Sequence, residues 1–221
     1  MDKNNLPKLE HRSYNFEVRA GEEIEGVAVI TGRPIVYESK TDLGYFYEII
    51  QRGALDNTDL TDVRFLVNHD TNKIPLARSR RNNGNSTMQL EINDQGLDIR
   101  VTLDVENNSE ARALYSAVKR GDITGMSFMF SVDGEEWSDL ESDHPTRTIT
   151  KISSVVEVSA VTFPAYEETS ISARDNREAL EKAREALESA QQKSLESEKQ
   201  KRALELAKLK NLNKTKGSRT A

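Results

Sequence analysis

Three histidines and no cysteine limit the chemistry that this 221-residue chain can carry. Without cysteine there is no thiol nucleophile, no thiolate-bound zinc and no disulfide. A hydroxyl nucleophile remains open, but it needs a base within hydrogen-bond reach. Ser127 lies in Gly121-Asp122-Ile123-Thr124-Gly125-Met126-Ser127-Phe128-Met129-Phe130, a small polar residue inside an apolar run. Period-two alternation sets Met126, Phe128 and Phe130 on one face, and Ser127, Met129 and Ser131 on the other. Ser127 is either a serine tolerated on a half-exposed strand or a nucleophile. His69, in Asn68-His69-Asp70 at the end of a buried-looking run, is the convincing candidate for its base. His11 stands in a polar N-terminal stretch, and His144 in an acidic loop before Pro145. Glu157 sits in the middle of Ser153-Ser154-Val155-Val156-Glu157-Val158-Ser159-Ala160-Val161. A carboxylate there is either half of a sheet-surface ion pair or a buried group that orients an imidazole.

Other chemistries find less support. His69, Asp70 and His144 could meet in space, but nothing resembles His-Glu-x-x-His or a dense ligand cluster, so no metal is expected. No cofactor is expected either. Gly-x-Ser-x-Gly is absent, which removes the nucleophile elbow of the α/β-hydrolases.

The elements that must position these residues are mostly extended. Tyr14, Phe16 and Val18 alternate with polar residues, and Gly26–Ile30 reads as a strand buried on both faces. Thr31-Gly32-Arg33-Pro34 reads as a turn, and Ile35–Tyr37 resumes the strand pattern. Residues 44–55 read as a strand into a turn, with a helical turn over 54–60. Residues 62–69 form a further strand, and 70–87 a loop. Met88–Ile92 and Gly96–Leu103 predict a hairpin around Asn93-Asp94-Gln95-Gly96. The one helix of the body is predicted over Ser109–Arg120, with Ser109 as N-cap. Ala111, Leu114, Tyr115 and Val118 form its stripe, and Gly121 its C-terminal stop. Residues 123–132 and 148–163 are strand-like, separated by an acidic loop over 133–145. The fold class is α+β or mainly β, with a barrel-like sheet, peripheral helices and a long C-terminal helix.

Charge divides the chain. Residues 174–221 carry 13 Lys+Arg against 8 Asp+Glu, a net +5, and no Phe, Tyr, Trp, Val or Ile. The remainder carries −11. An acidic body argues against specific nucleic-acid binding, because phosphate contacts need clustered Lys and Arg. No run approaches about 18 apolar residues, so no membrane partner is expected. The first residues lack the apolar stretch of a signal peptide. Residues 175–211 predict a single helix, roughly 55 Å long at about 1.5 Å per residue. Leu180, Ala183, Leu187 and Ala190 follow heptad spacing, and the pattern then slips at Ser194. So narrow an apolar face calls for a partner, and self-association through this helix is expected; the alternative is a frayed, mostly disordered tail. The boundaries are a flexible arm over 1–13, a catalytic body over 14–173 and a charged helical tail over 174–221.

Four segments taken together resemble the prohead (capsid maturation) serine proteases of tailed phages. They are Gly26…Gly32-Arg33-Pro34, Val67-Asn68-His69-Asp70, Gly121–Phe128 and Glu157–Ala165, and the resemblance covers about residues 14–173. It implies a fold similar to the herpesvirus maturation protease and a serine endopeptidase working inside an immature procapsid in the host cytoplasm. By this resemblance His69 is the general base, Ser127 the nucleophile and Glu157 the third member. The herpesvirus relatives use histidine there, which makes His144 the alternative. Met129 departs from the pattern, since many members carry a small residue two positions after the nucleophile. The implied partners are the major capsid protein with its scaffolding region, and the chain itself as a second substrate. The alternative reading is a non-enzymatic scaffold that binds capsid protein. A Ser127–His69 separation beyond about 5 Å would favour it.

Overall fold

In the computed structural model of the chain, the backbone is described for residues 9–14, 18–162 and 170–217. Phe16, Phe163 and Pro164 lie outside the described residues. The chain divides into two units, Met1–Asn176 and Arg177–Ala221.

The first unit is built from two sheets. Strands β1 (Leu9–Tyr14), β4 (Thr41–Asp42), β5 (Tyr47–Ile50), β6 (Asp62–Val67), β7 (Ala77–Arg80), β10 (Gly125–Ser138) and β11 (Thr146–Val161) make the larger. Its order is β1-β10-β11-β5-β4, with β6 also beside β11 and β7 beyond β6. The 16-residue β11 divides one edge between two parallel partners: β5 pairs at its start, and β6 pairs along Glu157–Ala160. Strands β2 (Val18–Ile24), β3 (Val27–Val36), β8 (Met88–Asn93) and β9 (Gly96–Asp104) form the second sheet, in the order β2-β3-β9-β8. The mainly-β body matches the expectation. Among the described residues the pairing gives these two sheets with free edges rather than one closed barrel.

One apolar cluster joins both sheets and the helix α1 (Ser109–Arg120). Met126, Phe128 and Phe130 contribute from β10, Val158 and Ala160 from β11, and Leu97 and Val101 from β9. A large side chain buried this way contributes about 1.5–3 kcal/mol. Helix α1 presents Ala111, Leu114, Tyr115 and Val118, the stripe read from spacing. Its cap is Asn108 rather than Ser109, because the Asn108 Oδ1 accepts the N–H groups of Glu110 and Ala111. Gly121 ends it at φ 78°.

Several expectations needed correction. Leu9–Tyr14, placed in or beside a flexible arm, is strand β1, paired with β10 over six positions. The run 27–30 is buried on one face only, and Thr31–Pro34 continues β3 through a bulge against β9. At that bulge a Cβ on Gly96 would fall 1.9 Å from the Ile35 carbonyl oxygen, so only glycine lets the two backbones meet. Strand β7 lies inside the region read as a loop. Strand β10 runs on to Ser138 through the acidic stretch, since it pairs with Thr146–Lys151.

The second unit is helical, the continuation of α2 (Ser170–Gly217). Its described surface carries the i,i+4 pairs Arg177–Glu181 and Lys182–Glu178.

Candidate active site

Cross-strand register assembles the site. Strand β10 places Ser127 directly opposite Ser159 of β11, and Met129 opposite Glu157. Alternation therefore puts Ser127, Ser159 and Glu157 on one face, away from Phe128 and Val158 in the core. Strand β6 runs beside this part of β11 and ends at Val67. The chain then turns through Asn68 and His69, both at positive φ (50° and 57°).

That turn costs about 1–3 kcal/mol for each non-glycine residue in the left-handed region, and several bonds hold it. The Asp70 N–H donates to the Val67 carbonyl at 3.1 Å, and the Asn68 N–H to the Ala160 carbonyl at 3.0 Å. The Asn68 side chain accepts from the Thr162 N–H at 2.9 Å and donates to the Thr162 hydroxyl at 3.1 Å. The His69 N–H donates to the Ser159 Oγ at 3.1 Å. Together these aim the imidazole across the sheet.

His69 Nε2 lies 2.5 Å from Ser127 Oγ, and His69 Nδ1 lies 2.6 Å from Glu157 Oε2. Glu157 is almost wholly buried, at 3% exposure, and its other oxygen accepts from the Ser159 hydroxyl. A buried carboxylate with both oxygens engaged holds the Nδ1–H tautomer and leaves Nε2 free to take a proton. So the three residues singled out in the sequence meet, although 58 positions separate Ser127 from His69 and 88 separate Glu157 from His69. His144 is not among them. Its Nε2 bonds Asp42 of β4 at 2.9 Å and its ring packs edge-on to Tyr47.

Sequence reasoning missed Ser159, which braces both Glu157 and the His69 backbone. The signal was available: it sits two residues after Glu157, on the same strand face. It also missed the surroundings of Ser127, which has no exposed surface. The Ser13 hydroxyl donates to Ser127 Oγ at 2.8 Å, and the Arg12 carbonyl oxygen lies 2.7 Å from it. The His11 ring stands edge-on to the His69 ring, with centroids 4.8 Å apart.

The opposite face of the same strands holds a second polar cluster. Arg12 grips both oxygens of Glu48 at 2.5 and 2.7 Å, and Arg147 bridges Glu10, Glu48 and Glu135. Burial pushes the Glu10 carboxyl up, but the Arg147 hydrogen bonds and the charges of Arg12 and Arg147 outweigh it and hold it at about 2.

The family described as caudovirus prohead serine protease matches residues 14–184. The prohead protease of Enterobacteria phage HK97 is 30% identical over 142 residues, 62% of this chain and 57% of that protein. The chain thus spans a little over half the length of that curated relative. The solved structure of the bacteriophage T4 capsid assembly protease aligns with TM-score 0.40 and 14% identity, over 71% of this chain and 99% of that one.

Proposed function

The chain belongs to the caudovirus prohead serine protease family, and from that premise we propose that it is a serine endopeptidase using Ser127, His69 and Glu157. The observation that carries this reading is the continuous Glu157–His69–Ser127 chain, at 2.6 and 2.5 Å. His69 Nε2 takes the Ser127 proton as Oγ attacks a peptide carbonyl carbon. The tetrahedral intermediate collapses to an acyl-enzyme as His69 returns the proton to the leaving amine. Water, activated by the same imidazole, then releases the acyl group. Glu157 holds the tautomer and stabilises the imidazolium, and Ser159 holds Glu157.

The substrates are the scaffolding region of the major capsid protein and the chain itself. The helix beyond residue 174, with its net positive charge and narrow apolar stripe, serves as a scaffold-like tail that brings the enzyme into the shell and self-associates there. Confinement raises the local substrate concentration, so modest intrinsic activity suffices. The body sits in the procapsid lumen, within the host cytoplasm. A purely structural scaffold would leave Ser127 and His69 as unrelated strand residues, and the 2.5 Å contact counts against it.

The test is co-expression with the cognate capsid protein, read by intact-mass spectrometry, wild type beside Ser127→Ala. Shortened capsid protein in the wild type alone supports the endopeptidase. Identical full-length masses in both, with Ser127 also unreactive toward a fluorophosphonate probe, would sink it.

A further inference from the structure

A nucleophile must be reached by its substrate, yet Ser127 is 0% exposed. Its cover is strand β1. From Leu9↔Ser131 to Tyr14↔Met126 this strand pairs antiparallel with β10, setting Ser13 directly across from Ser127. The other edge of β10 is taken by β11. A peptide that is to bring a carbonyl to Ser127 by adding a strand to this sheet therefore needs the edge that β1 occupies.

The contacts at Ser127 are unproductive. A hydroxyl has one proton, and two acceptors compete for it: His69 Nε2 at 2.5 Å and the Arg12 carbonyl at 2.7 Å. A proton given to the carbonyl is not given to the base. The Ser13 hydroxyl occupies a lone pair of the same oxygen.

The anchor of β1 lies on the opposite face. Arg12 is 5% exposed, forks onto Glu48, and stands 5.7 Å from the Phe130 ring centroid. Glu10 and Arg12 arrive with β1, whereas Glu48, Glu135, Arg147 and Phe130 belong to the body. The body's own charges there are two carboxylates and one guanidinium, a net −1. That pocket, with one wall an aromatic face and one a fully buried carboxylate, suits a basic side chain on an extended strand.

Resting on the endopeptidase reading of Ser127, we propose that the free edge of β10 is the peptide-binding site and that β1 is its resident occupant. The enzyme is silent until β1 is displaced by an extended peptide carrying Arg or Lys at the Arg12 position. The Glu48 pocket takes that basic side chain, and the same residue's carbonyl faces Ser127.

The test measures how fast a fluorophosphonate probe labels Ser127 in the full chain, with Ser127→Ala as the blank. Because the chain has no cysteine, the Leu9→Cys/Ser131→Cys variant offers a single reversible staple between directly opposed positions of β1 and β10. Labelling of the oxidised staple is expected to be at least about tenfold slower than that of the same protein reduced. Arg12→Ala should label at least about tenfold faster than wild type; should it fail to fold, the staple alone decides. A peptide copy of residues 9–14 should slow labelling of Arg12→Ala, and its Arg12→Glu version should not. Equal rates in the oxidised and reduced staple overturn the occupancy of the site by β1. Equal inhibition by the two peptides overturns the basic pocket. Absence of Ser127 labelling in every form, with folding retained, removes the endopeptidase reading beneath the proposal.

Discussion

The two faces of the β1-β10-β11 sheet carry polar clusters that are alike in burial and different in chemistry. One face joins Glu10, Arg12, Glu48, Glu135 and Arg147. The other joins Ser13, Ser127, His69, Glu157 and Ser159. On the first face carboxyl groups meet guanidinium groups, and the depressed Glu10 carboxyl records how strongly. On the second, a neutral hydroxyl faces a base that is itself held by a carboxylate. A shifted carboxyl is the kind of signal that marks functional sites, yet here it belongs to the face away from Ser127 and His69. Burial and dense hydrogen bonding locate polar clusters. The order of donor and acceptor types differs: one cluster is a carboxylate–imidazole–hydroxyl chain, the other a set of carboxyl–guanidinium pairs.

The largest expected effect separates the two faces by activity. Ser127→Ala should lower capsid-protein cleavage by about 10⁶-fold, with the melting temperature little changed. Stability lost in step with activity would erase the distinction. Next, Glu157→Gln should lower cleavage by about 10⁴-fold, because the amide no longer selects the Nδ1–H tautomer. A near-wild-type rate for this variant would remove Glu157 from the catalytic group.

On the other face the effect should appear in stability. Glu48→Ala leaves Arg12 and Arg147 short of a counter-charge and should cost about 3–5 kcal/mol, read by denaturant titration. A loss below about 1 kcal/mol would mean that the network behaves like a surface ion pair. Acid should weaken this face through Glu10. Its folded value, about 2, lies below the ordinary 4.5, so its contribution is complete above about pH 4.5 and is lost as pH falls through 2. The difference in melting temperature between wild type and Glu10→Gln should therefore shrink between pH 5 and pH 2. A constant difference would exclude this titration. Smallest of all, His144→Ala, which removes only the Asp42 contact and the Tyr47 packing, should leave cleavage within about twofold. A loss approaching that of Glu157→Gln would bring His144 back as the third member.

Much of this arrangement was legible from local pattern. The alternation around Ser127 separated its face from that of Phe128, and the α1 stripe and Gly121 stop stand where spacing put them. Strands that lack a clean alternation were not legible. The Ala-Arg-Ser-Arg of β7 has no apolar period, and β10 beyond Val132 reads as polar because its side chains are largely exposed or half-buried. The polar Leu9–Tyr14 segment hid its role for a related reason. Its buried Arg12 is stabilised by Glu48, and no local pattern reveals a partner so far along the chain.

Composition excluded thiol chemistry, the distribution of charge separated an acidic body from a basic helical tail, and local context left His69 as the convincing candidate base for Ser127. Those conclusions need only residue types and the short-range geometry of strands and helices. The meeting of residues 69, 127 and 157, the bracing by Ser159 and the closure of Ser127 beneath β1 were decided by tertiary structure. Register between strands distant in sequence is set by which faces the shared core buries and which turns the loops can close. A one-residue slip of β11 against β10 would have carried Glu157 to the core face, away from His69.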